Sequence, residues 1–206
     1  MEYIEKMNLD NKKVILRLDL NVTIKDGIII DDTKIKKSIP TIKYILNKGC
    51  HILMMSHLGK IKTEEDKSKN SLKVVCDRLI ELLEMDINFV STTRSDELKN
   101  SLINNRLTLM ENTRYEDYPN KLESKCDEEL SQYWASLGEV FINDAFGTAH
   151  RAHASNVGVT KFISDPVVGY LMEKEVKFLG DSIDNPARPF VAILGGLKVK
   201  DKIKAQ

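Results

Sequence analysis

Short apolar runs alternate along this chain with amphipathic stretches, and this alternation restricts the fold more than any other feature of the sequence. The run 51–57, His-Ile-Leu-Met-Met-Ser-His, has an unbroken apolar centre, which is typical of a parallel strand covered by helices on both faces. The stretch 72–85 then repeats leucine and valine at helical spacing. Repeated strand–helix order predicts the α/β class, with a doubly wound, mostly parallel sheet and helices on both faces.

The other predicted elements keep to this order. Strands are predicted over 12–22, 28–30, 87–90, 106–112, 140–142 and 188–194, and helices over 31–49, 72–85, 96–103, 124–137, 167–183 and from 195 onward. Asp31 and Asp32 are candidate N-caps of the first helix, and Pro40 should kink that helix or divide it in two. The charged stretch 61–70 has no apolar period, so a mobile surface loop is expected there.

The first long strand, 12–22, carries polar residues toward its carboxyl end. Leucines occupy one face of this strand, whereas Arg17, Asp19 and Asn21 occupy the other. Taken alone, the pattern is that of a half-exposed strand. In a parallel sheet, however, the carboxyl ends of the strands meet at one edge, where doubly wound folds bind their ligands. The polar residues expected at that edge are Asp19, Asn21, His57, Lys60, Arg114, His150 and Arg151.

The stretch 141–155, Phe-Ile-Asn-Asp-Ala-Phe-Gly-Thr-Ala-His-Arg-Ala-His-Ala-Ser, combines a strand end, a glycine turn and a cationic loop. Gly147 permits a sharp exit from the strand. His150, Arg151 and His153 then form a cluster just past the carboxyl end of the strand, which suits an anionic ligand. A solvated loop with ordinary surface charges explains the local sequence equally well.

The composition argues against several classes of function. Lys plus Arg and Asp plus Glu both number 31, so no net charge attracts nucleic acid or an anionic membrane. Cys50, Cys76 and Cys126 have no CxxC spacing, which indicates neither a metal site nor a redox pair and favours a reducing compartment. The sequence shows neither a signal peptide nor an apolar run long enough for a membrane span. A cytoplasmic protein without nucleic-acid or membrane partners is expected.

A second candidate anion site follows the last predicted strand. Gly195 and Gly196 would begin a helix on which Lys198 and Lys202 share one face. Main-chain N–H groups at a helix start, together with two lysines, can cradle nucleotide phosphates. The Gly-Gly-x-Lys pattern is not the GxxxxGK[ST] phosphate loop, so this motif alone has low specificity. Direct phosphoryl transfer would need no nucleophilic side chain, because it depends on positioning and charge stabilisation.

Five motifs resemble, in order and spacing, those of the phosphoglycerate kinase family. They are Arg17-Leu-Asp-Leu-Asn21, Ser56-His-Leu-Gly59, Glu111-Asn-Thr-Arg114, the stretch 143–155 and the stretch 195–203. The resemblance implies a glycolytic enzyme that reversibly transfers a phosphoryl group between 1,3-bisphosphoglycerate and ADP, giving 3-phosphoglycerate and ATP, with magnesium accompanying the nucleotide. It also implies a Rossmann-like N-terminal substrate-binding domain over 1–186 of a two-domain kinase, with 187–206 beginning the nucleotide-binding segment.

The resemblance also implies residue roles. Its implied substrate-binding residues are Asp19, Leu20, Asn21, Lys34, His57, Leu58, Gly59, Lys60, Arg114 and Arg151. Among these, Lys34 and Arg151 are expected to act in catalysis together with Lys198, which would stabilise the transferring phosphoryl group. Gly195, Gly196, Lys198 and Lys202 would bind the nucleotide as Mg-ADP or Mg-ATP.

Two departures from the family pattern concern cations. Lys34 and Lys60 stand where the family has arginines, and lysine keeps the charge but lacks the planar fork of a guanidinium. The loss of one such donor commonly costs on the order of 10² to 10³ in rate. The resemblance also implies a C-terminal domain with the acidic magnesium ligand, which is expected to lie outside these 206 residues, so no metal ligand is expected among them. Two hypotheses stay open for an expected monomer: an active kinase, or a truncated, inactive module that binds 3-phosphoglycerate.

Overall fold

The computed structural model describes residues 2–184, 186, 188, 189 and 191, and only the backbone of 181–184. The chain divides into two compact units, residues 1–174 and 175–206. The domain boundary expected after residue 186 falls among sparsely described residues and stays a prediction. So do the strand expected over 188–194 and the helix expected from 195, most of whose residues lie outside the described ones.

Nine strands and six α-helices are described. The strands are β1 (Glu2–Tyr3), β2 (Lys13–Leu18), β3 (Ile24–Lys25), β4 (Ile28–Ile29), β5 (His51–Met55), β6 (Asn88–Val90), β7 (Leu107–Met110), β8 (Val140–Asp144) and β9 (Val167–Val168). The helices are α1 (Thr33–Asn47), α2 (Glu65–Lys69), α3 (Lys73–Leu83), α4 (Asp96–Asn104), α5 (Glu128–Ala135) and α6 (Tyr170–Asp184). Among the described residues, no helix combines the length and hydropathy that a membrane span requires.

Seven of the strands form a single parallel sheet in the order β1-β9-β8-β2-β5-β7-β6. The doubly wound α/β class is therefore confirmed, and the sheet is wholly parallel among the described strands. From the central strand β2, the chain first builds β5, β6 and β7 on one side and then returns to place β8 and β9 on the other. The strand order thus reverses between β2 and β8, and ligands of such sheets bind beside that point. Strands β3 and β4 form a separate antiparallel hairpin.

Apolar side chains cover both faces of the sheet. On one face, Leu16 of β2 packs in a cluster with Ile42 of α1 and Leu79 of α3. On the other face, Ile15 packs in a second cluster with Trp134 of α5. The interpretation of β2 as a half-exposed strand is therefore wrong, because helices shield both of its faces.

Side-chain hydrogen bonds explain two of the differences from the expected elements. Asp32 occupies the N-cap position of α1, but its side chain accepts no capping bond from a main-chain N–H of the helix, because its carboxylate instead pairs with the side chains of Lys36 and of Arg78 in α3. Within 61–70, where a loop is expected throughout, α2 forms, and Asp66 Oδ2 accepts from the main-chain N–H of Lys62 and Thr63.

Three other elements differ from the expected ones: a helix continues through a proline, a side-chain cap delays the start of a second helix, and strand pairing replaces the start of a third. Helix α1 continues through Pro40, so the expected division there is wrong. Helix α5 begins only after Asp127, whose Oδ1 accepts from Leu130 N at 2.9 Å. In the stretch 167–183, where a helix is expected throughout, the first residues form the strand β9, which pairs with β8. The helix begins only at Tyr170.

Candidate anion-binding site at the carboxyl edge of the sheet

A cavity of about 260 Å³ lies at the carboxyl edge of the sheet. The loops that follow β2, β5, β7 and β8 all reach it, as does the first turn of α1. Its lining residues are Asp19, Asn21, Lys34, His57, Gly59, Lys60, Arg114, Gly147, Thr148 and Arg151. All the expected substrate-binding residues except Leu20 and Leu58 are thus brought together, and Gly147 and Thr148 line the cavity in addition. What these residues bind stays a prediction at this point.

Leu20 and Leu58 lie in the hydrophobic core rather than along the cavity. Their exposed fractions are 0% and 2%, and both side chains pack in the cluster on the α1 and α3 face. Leu20 N donates to Ser56 Oγ at 2.9 Å, and Leu58 N donates to Asn112 Oδ1 at 3.1 Å. Both leucines therefore anchor the loops whose neighbouring residues face the cavity.

Positive charge predominates in the cavity. Its lining residues include the cations Lys34, Lys60, Arg114 and Arg151 and one acid, Asp19. Lys34 Nζ lies 2.9 Å from Asp19 Oδ2, so this acid offsets one cation. The other three cations form no ion pair with a described carboxylate at salt-bridge distance. The excess charge suits a small, multiply charged anion.

Arg114 offers a donor that the protein itself does not use. Its Nε is buried and has no hydrogen-bond partner among the described residues. Burial lowers the pKa of Arg114, and the positive charge of Arg151 lowers it further. Buried donors are rarely left unpaired in folded proteins, so this atom fits a position where an anionic ligand supplies the acceptor.

Asn112 fixes the main chain around two of these loops. Its Oδ1 accepts from Leu58 N at 3.1 Å and Arg114 N at 3.0 Å, and its Nδ2 donates to Leu58 O at 2.7 Å and Asn70 O at 2.9 Å. The side chain is completely buried. All four hydrogen-bonding positions of the carboxamide are therefore occupied. The sequence pattern assigns Asn112 no role of its own, because its partners come from other loops.

The loop after β8 is held by two asparagines behind it. Asn143 Nδ2 donates to Asn156 Oδ1 at 2.9 Å, and Asn156 Nδ2 donates to the carbonyl oxygens of Thr148 at 3.2 Å and Arg151 at 3.1 Å. These bonds direct the segment from Gly147 to Arg151 along the cavity. The interpretation of this stretch as an ordinary solvated loop therefore does not hold for Thr148 and Arg151.

The two histidines of that loop do not line the cavity. His150 is exposed, and its Nε2 lies 3.3 Å from Arg151 Nε. His153 is buried, with its Nδ1 3.7 Å from Glu123 Oε1. Burial and the charge of Arg114 lower the pKa of His153 to about 4, so the ring is neutral at pH 7. Of the three side chains expected to form a cationic cluster, only Arg151 lines the cavity.

His57 is a neutral hydrogen-bonding group within the cationic cavity. Burial, followed by the charges of Arg17, Arg114 and Lys34, lowers the pKa of His57 to about 2. Arg17 Nη2 lies 3.2 Å from His57 Nδ1. Arg17 itself is only 1% exposed and lies outside the cavity lining, although the sequence pattern predicts it on the same strand face as Asp19.

The expected nucleotide-binding residues Gly195, Gly196, Lys198 and Lys202 lie outside the described residues. Within the part of the chain that the structure describes, no group of three or more His, Cys, Asp or Glu side chains is placed to hold a metal ion. Magnesium that accompanies a nucleotide is held mainly by phosphates and water with one or two protein carboxylates, so its site stays a prediction from the resemblance.

Comparisons with known proteins extend these observations. A family model described as phosphoglycerate kinase matches residues 4–205. Phosphoglycerate kinase from Lacticaseibacillus casei (strain BL23) is 53% identical over 203 residues, which make up 97% of this chain and 51% of that protein. The corresponding protein of Listeria innocua is 56% identical over 200 residues, or 96% of this chain and 50% of that protein.

Solved structures of phosphoglycerate kinases are also similar to this chain over nearly its whole length. Phosphoglycerate kinase from Coxiella burnetii superposes with a TM-score of 0.84 at 35% identity, over 98% of this chain and 50% of that one. The enzyme from Pyrococcus horikoshii OT3 superposes with a TM-score of 0.85 at 31% identity, over 99% of this chain and 51% of that one. The chain therefore spans about half the length of the relatives it matches.

Proposed function

We propose, since this chain belongs to the phosphoglycerate kinase family, that its cavity binds 3-phosphoglycerate and 1,3-bisphosphoglycerate for reversible phosphoryl transfer with ADP and ATP. This reaction belongs to glycolysis. The observation that carries the proposal is the convergence of Lys34, Lys60, Arg114 and Arg151 around one cavity of about 260 Å³. A volume of that order suits a small acid rather than a polymer, and the charge suits a ligand with both a carboxylate and a phosphate.

The arginines would hold the phosphate of the triose. Arg114 has an unused buried Nε, and Arg151 lines the same cavity. A guanidinium can donate two parallel hydrogen bonds to a phosphate, which fixes the orientation as well as the position of the ligand. Lys34 and Lys60 would add charge without that planar geometry.

Asn21, Asp19 and His57 would orient the glycerate part. Asn21 Oδ1 accepts from Gly59 N at 2.9 Å, which leaves the carboxamide nitrogen of Asn21 to donate to the ligand. Asp19 can accept from a ligand hydroxyl group, and His57 can donate to a ligand oxygen. The ligand would thus be held by donors and acceptors that are fixed before it arrives, which lowers the ordering cost of binding.

In the transfer step, the bond between the phosphorus and the C1 carboxyl oxygen of 1,3-bisphosphoglycerate breaks as a β-phosphate oxygen of ADP attacks the same phosphorus. The carboxylate of 3-phosphoglycerate leaves, and ATP forms. Lys34, Arg151 and Lys198 would stabilise the charge on the transferring group, and Gly195, Gly196 and Lys202 would bind the nucleotide. Magnesium supplies charge neutralisation to the nucleotide phosphates in such reactions.

The same cavity would serve a second candidate function, the binding of 3-phosphoglycerate without phosphoryl transfer. The chain spans about half the length of the curated relatives it matches, and phosphoryl transfer by this chain is the property that separates the two candidates. The expected cytoplasmic location, monomeric state and lack of nucleic-acid or membrane partners stay predictions from composition.

Calorimetric titration with 3-phosphoglycerate tests the binding proposal. We expect binding to the unmodified chain, no measurable binding of glycerate without its phosphate, and affinity about 10- to 100-fold weaker in Arg151→Met, since a charged hydrogen bond is removed. Lys99→Met, which removes a cation paired with Asp96 on the surface of α4, should bind as the unmodified chain does. Equal affinities in the two variants, or no binding of 3-phosphoglycerate, would refute the proposal.

A coupled assay for ATP formation from 1,3-bisphosphoglycerate and MgADP separates the two candidates. ATP formation that disappears in Lys34→Met supports the kinase. Binding of 3-phosphoglycerate without any ATP formation supports the binding module for this chain.

A further inference from the structure

Arg17 is a buried cation directly behind the cavity. Its Nε donates to Ser155 Oγ at 3.0 Å, one Nη donates to the carbonyl oxygen of Leu18, and Nη2 lies 3.2 Å from His57 Nδ1. Each of its three nitrogens thus has a partner, and the guanidinium is held in one orientation. Its exposed fraction is only 1%, so the guanidinium is shielded from solvent.

The bond between Arg17 and His57 has a fixed direction. A guanidinium has only donors, so His57 Nδ1 must accept with its lone pair. A neutral imidazole carries one proton, which is then on Nε2. His57 lines the cavity, whereas Arg17 does not. The bond from Arg17 therefore determines which ring nitrogen retains an N–H donor.

Ser155 and Glu123 hold Arg17 in turn. The Oγ of Ser155 accepts from Arg17 Nε and donates to Glu123 Oε1 at 2.5 Å, while Ser155 N donates to Glu123 Oε2 at 2.9 Å. Glu123 is completely buried. Burial raises the pKa of its carboxyl group, and the charge of Arg17 and the bonds from Ser155 oppose that rise. Both carboxyl oxygens act as acceptors, which suits a carboxylate balancing the buried guanidinium.

We propose that Glu123, Ser155 and Arg17 form a buried relay that holds His57 in its Nε2-protonated tautomer, so that the ring offers an N–H donor to an anion in the cavity. The identification of the anion as 3-phosphoglycerate rests on the proposed function. The assignment of the tautomer does not, because the contact with Arg17 determines it without any ligand. Neither Glu123 nor Ser155 nor Arg17 lines the cavity, so all three are positioning residues.

The alternative tautomer would oppose binding. A ring protonated on Nδ1 would direct its N–H at the Arg17 guanidinium and leave the Nε2 lone pair as the remaining polar group. A lone pair repels an anionic oxygen, whereas an N–H attracts it. The charged groups around the ring come from four parts of the fold: Arg17 from β2 with Asp19 from the loop after it, Lys34 from α1, Arg114 from the loop after β7, and Arg151 from the loop after β8. His153, which also lies near, is itself neutral at pH 7. Burial and the charges of Arg17, Arg114 and Lys34 keep the imidazole of His57 neutral.

Nitrogen-15 NMR of the histidine side chains tests this relay without ligand. Long-range proton–nitrogen correlations distinguish a protonated from an unprotonated ring nitrogen. In the unmodified chain we expect His57 to show a protonated Nε2 and an unprotonated Nδ1 from pH 5 to pH 8. A protonated Nδ1 at neutral pH would overturn the proposal. A role of Arg17 in packing alone predicts lower stability on substitution without any change in these signals.

Substitutions along the relay complete the test. Arg17→Met should give a mixture of the two tautomers and about tenfold weaker binding of 3-phosphoglycerate, and Arg17→Lys, which restores one donor, should recover most of the Nε2-protonated form. Arg106→Met is the matched control, because Arg106 donates to Leu46 O at the opposite edge of the sheet. An unchanged His57 spectrum in a folded Arg17→Met variant would refute the relay.

If circular dichroism shows that Arg17→Met does not fold, Ser155→Ala decides the question. Loss of the Ser155 hydroxyl should free the guanidinium and produce the same mixture of tautomers. An unchanged tautomer in that variant would remove Ser155 and Glu123 from the relay and overturn it. Failure of the unmodified chain to bind 3-phosphoglycerate would instead refute the proposed function and leave the tautomer measurement valid.

Discussion

Lys34 Nζ lies 2.9 Å from Asp19 Oδ2, at the point where the first turn of α1 reaches the cavity. The lysine side chain is 47% exposed, whereas that of Asp19 is 14% exposed. An ion pair this open to water contributes little to stability. It therefore costs little to break, and the ammonium group is available to a ligand of higher charge.

Replacement of Lys34 by Met should weaken 3-phosphoglycerate binding roughly tenfold, because one charged donor is lost. Lys34→Arg should match or exceed the affinity of the unmodified chain, since a guanidinium can donate two bonds to one phosphate. Titration calorimetry measures both effects. Lys36→Met is the control on the same helix, because Lys36 pairs with Asp32 away from the cavity lining. Equal losses in Lys34→Met and Lys36→Met would show that Lys34 acts only through net charge.

Asn112→Asp should destabilise the fold and the cavity together. The substitution keeps the shape of the side chain but removes the donors to Leu58 O and Asn70 O and buries a carboxylate. We expect the free energy of unfolding in urea to fall by about 3 kcal/mol. The control Asn105→Asp loses a donor to Ser101 O at a partly exposed helix end and should change that free energy by less than about 1 kcal/mol. A similar loss in both variants would contradict the role given to Asn112.

Most of the cavity can be located from the sequence because one geometric rule applies to parallel sheets. Asp19, His57, Arg114 and Arg151 each follow a strand, and the carboxyl ends of such strands must meet. The same rule needs no knowledge of side-chain packing. It explains why the strand pattern alone groups these residues, although they span more than half of the chain.

The supporting groups are not predictable in the same way. Arg17 and Ser155 are 138 residues apart, and nothing in the alternation of β2 shows that a carboxylate and a hydroxyl group cover its polar face. Asn112 is likewise defined by partners in other loops. Helix α2 forms in a stretch without apolar period, because local bonds to Asp66 replace the packing that periodicity detects. These features depend on tertiary hydrogen bonds or side-chain caps, which hydropathy does not encode.

Gly169 lies against the buried carboxylate of Asp144, and an alanine there should destabilise the fold. A Cβ at Gly169 would lie 2.5 Å from Asp144 Cγ and Oδ1. Asp144 cannot move aside, because its carboxylate accepts from the Thr41 hydroxyl at 2.6 Å and from Leu171 N at 2.8 Å. Overpacking of this kind commonly costs about 1–3 kcal/mol in the free energy of unfolding.

The matched control for this substitution is Gly180→Ala in α6. Among the described residues, and apart from the chain neighbours and the backbone of the same helix, no heavy atom lies within 4 Å of a Cβ placed at Gly180. Alanine in a helix is more favourable than glycine by about 0.5–1 kcal/mol. Urea unfolding should therefore show opposite signs for the two changes. A stabilising effect of Gly169→Ala would mean that Asp144 is less firmly held than its hydrogen bonds indicate.

The low pKa of His57 should make the fold sensitive to mild acid. Its pKa is about 2 in the folded chain and about 6.5 in the unfolded chain, so protonation below pH 6.5 favours unfolding. Between pH 7 and pH 5, this group alone should lower the free energy of unfolding by about 2 kcal/mol. In His57→Gln that part of the loss should disappear, as measured by urea unfolding at both pH values. His150→Gln changes an exposed ring on the neighbouring loop and should retain the full loss. If His57→Gln loses as much stability as the unmodified chain between the two pH values, the imidazole is not held neutral by its buried, cationic surroundings.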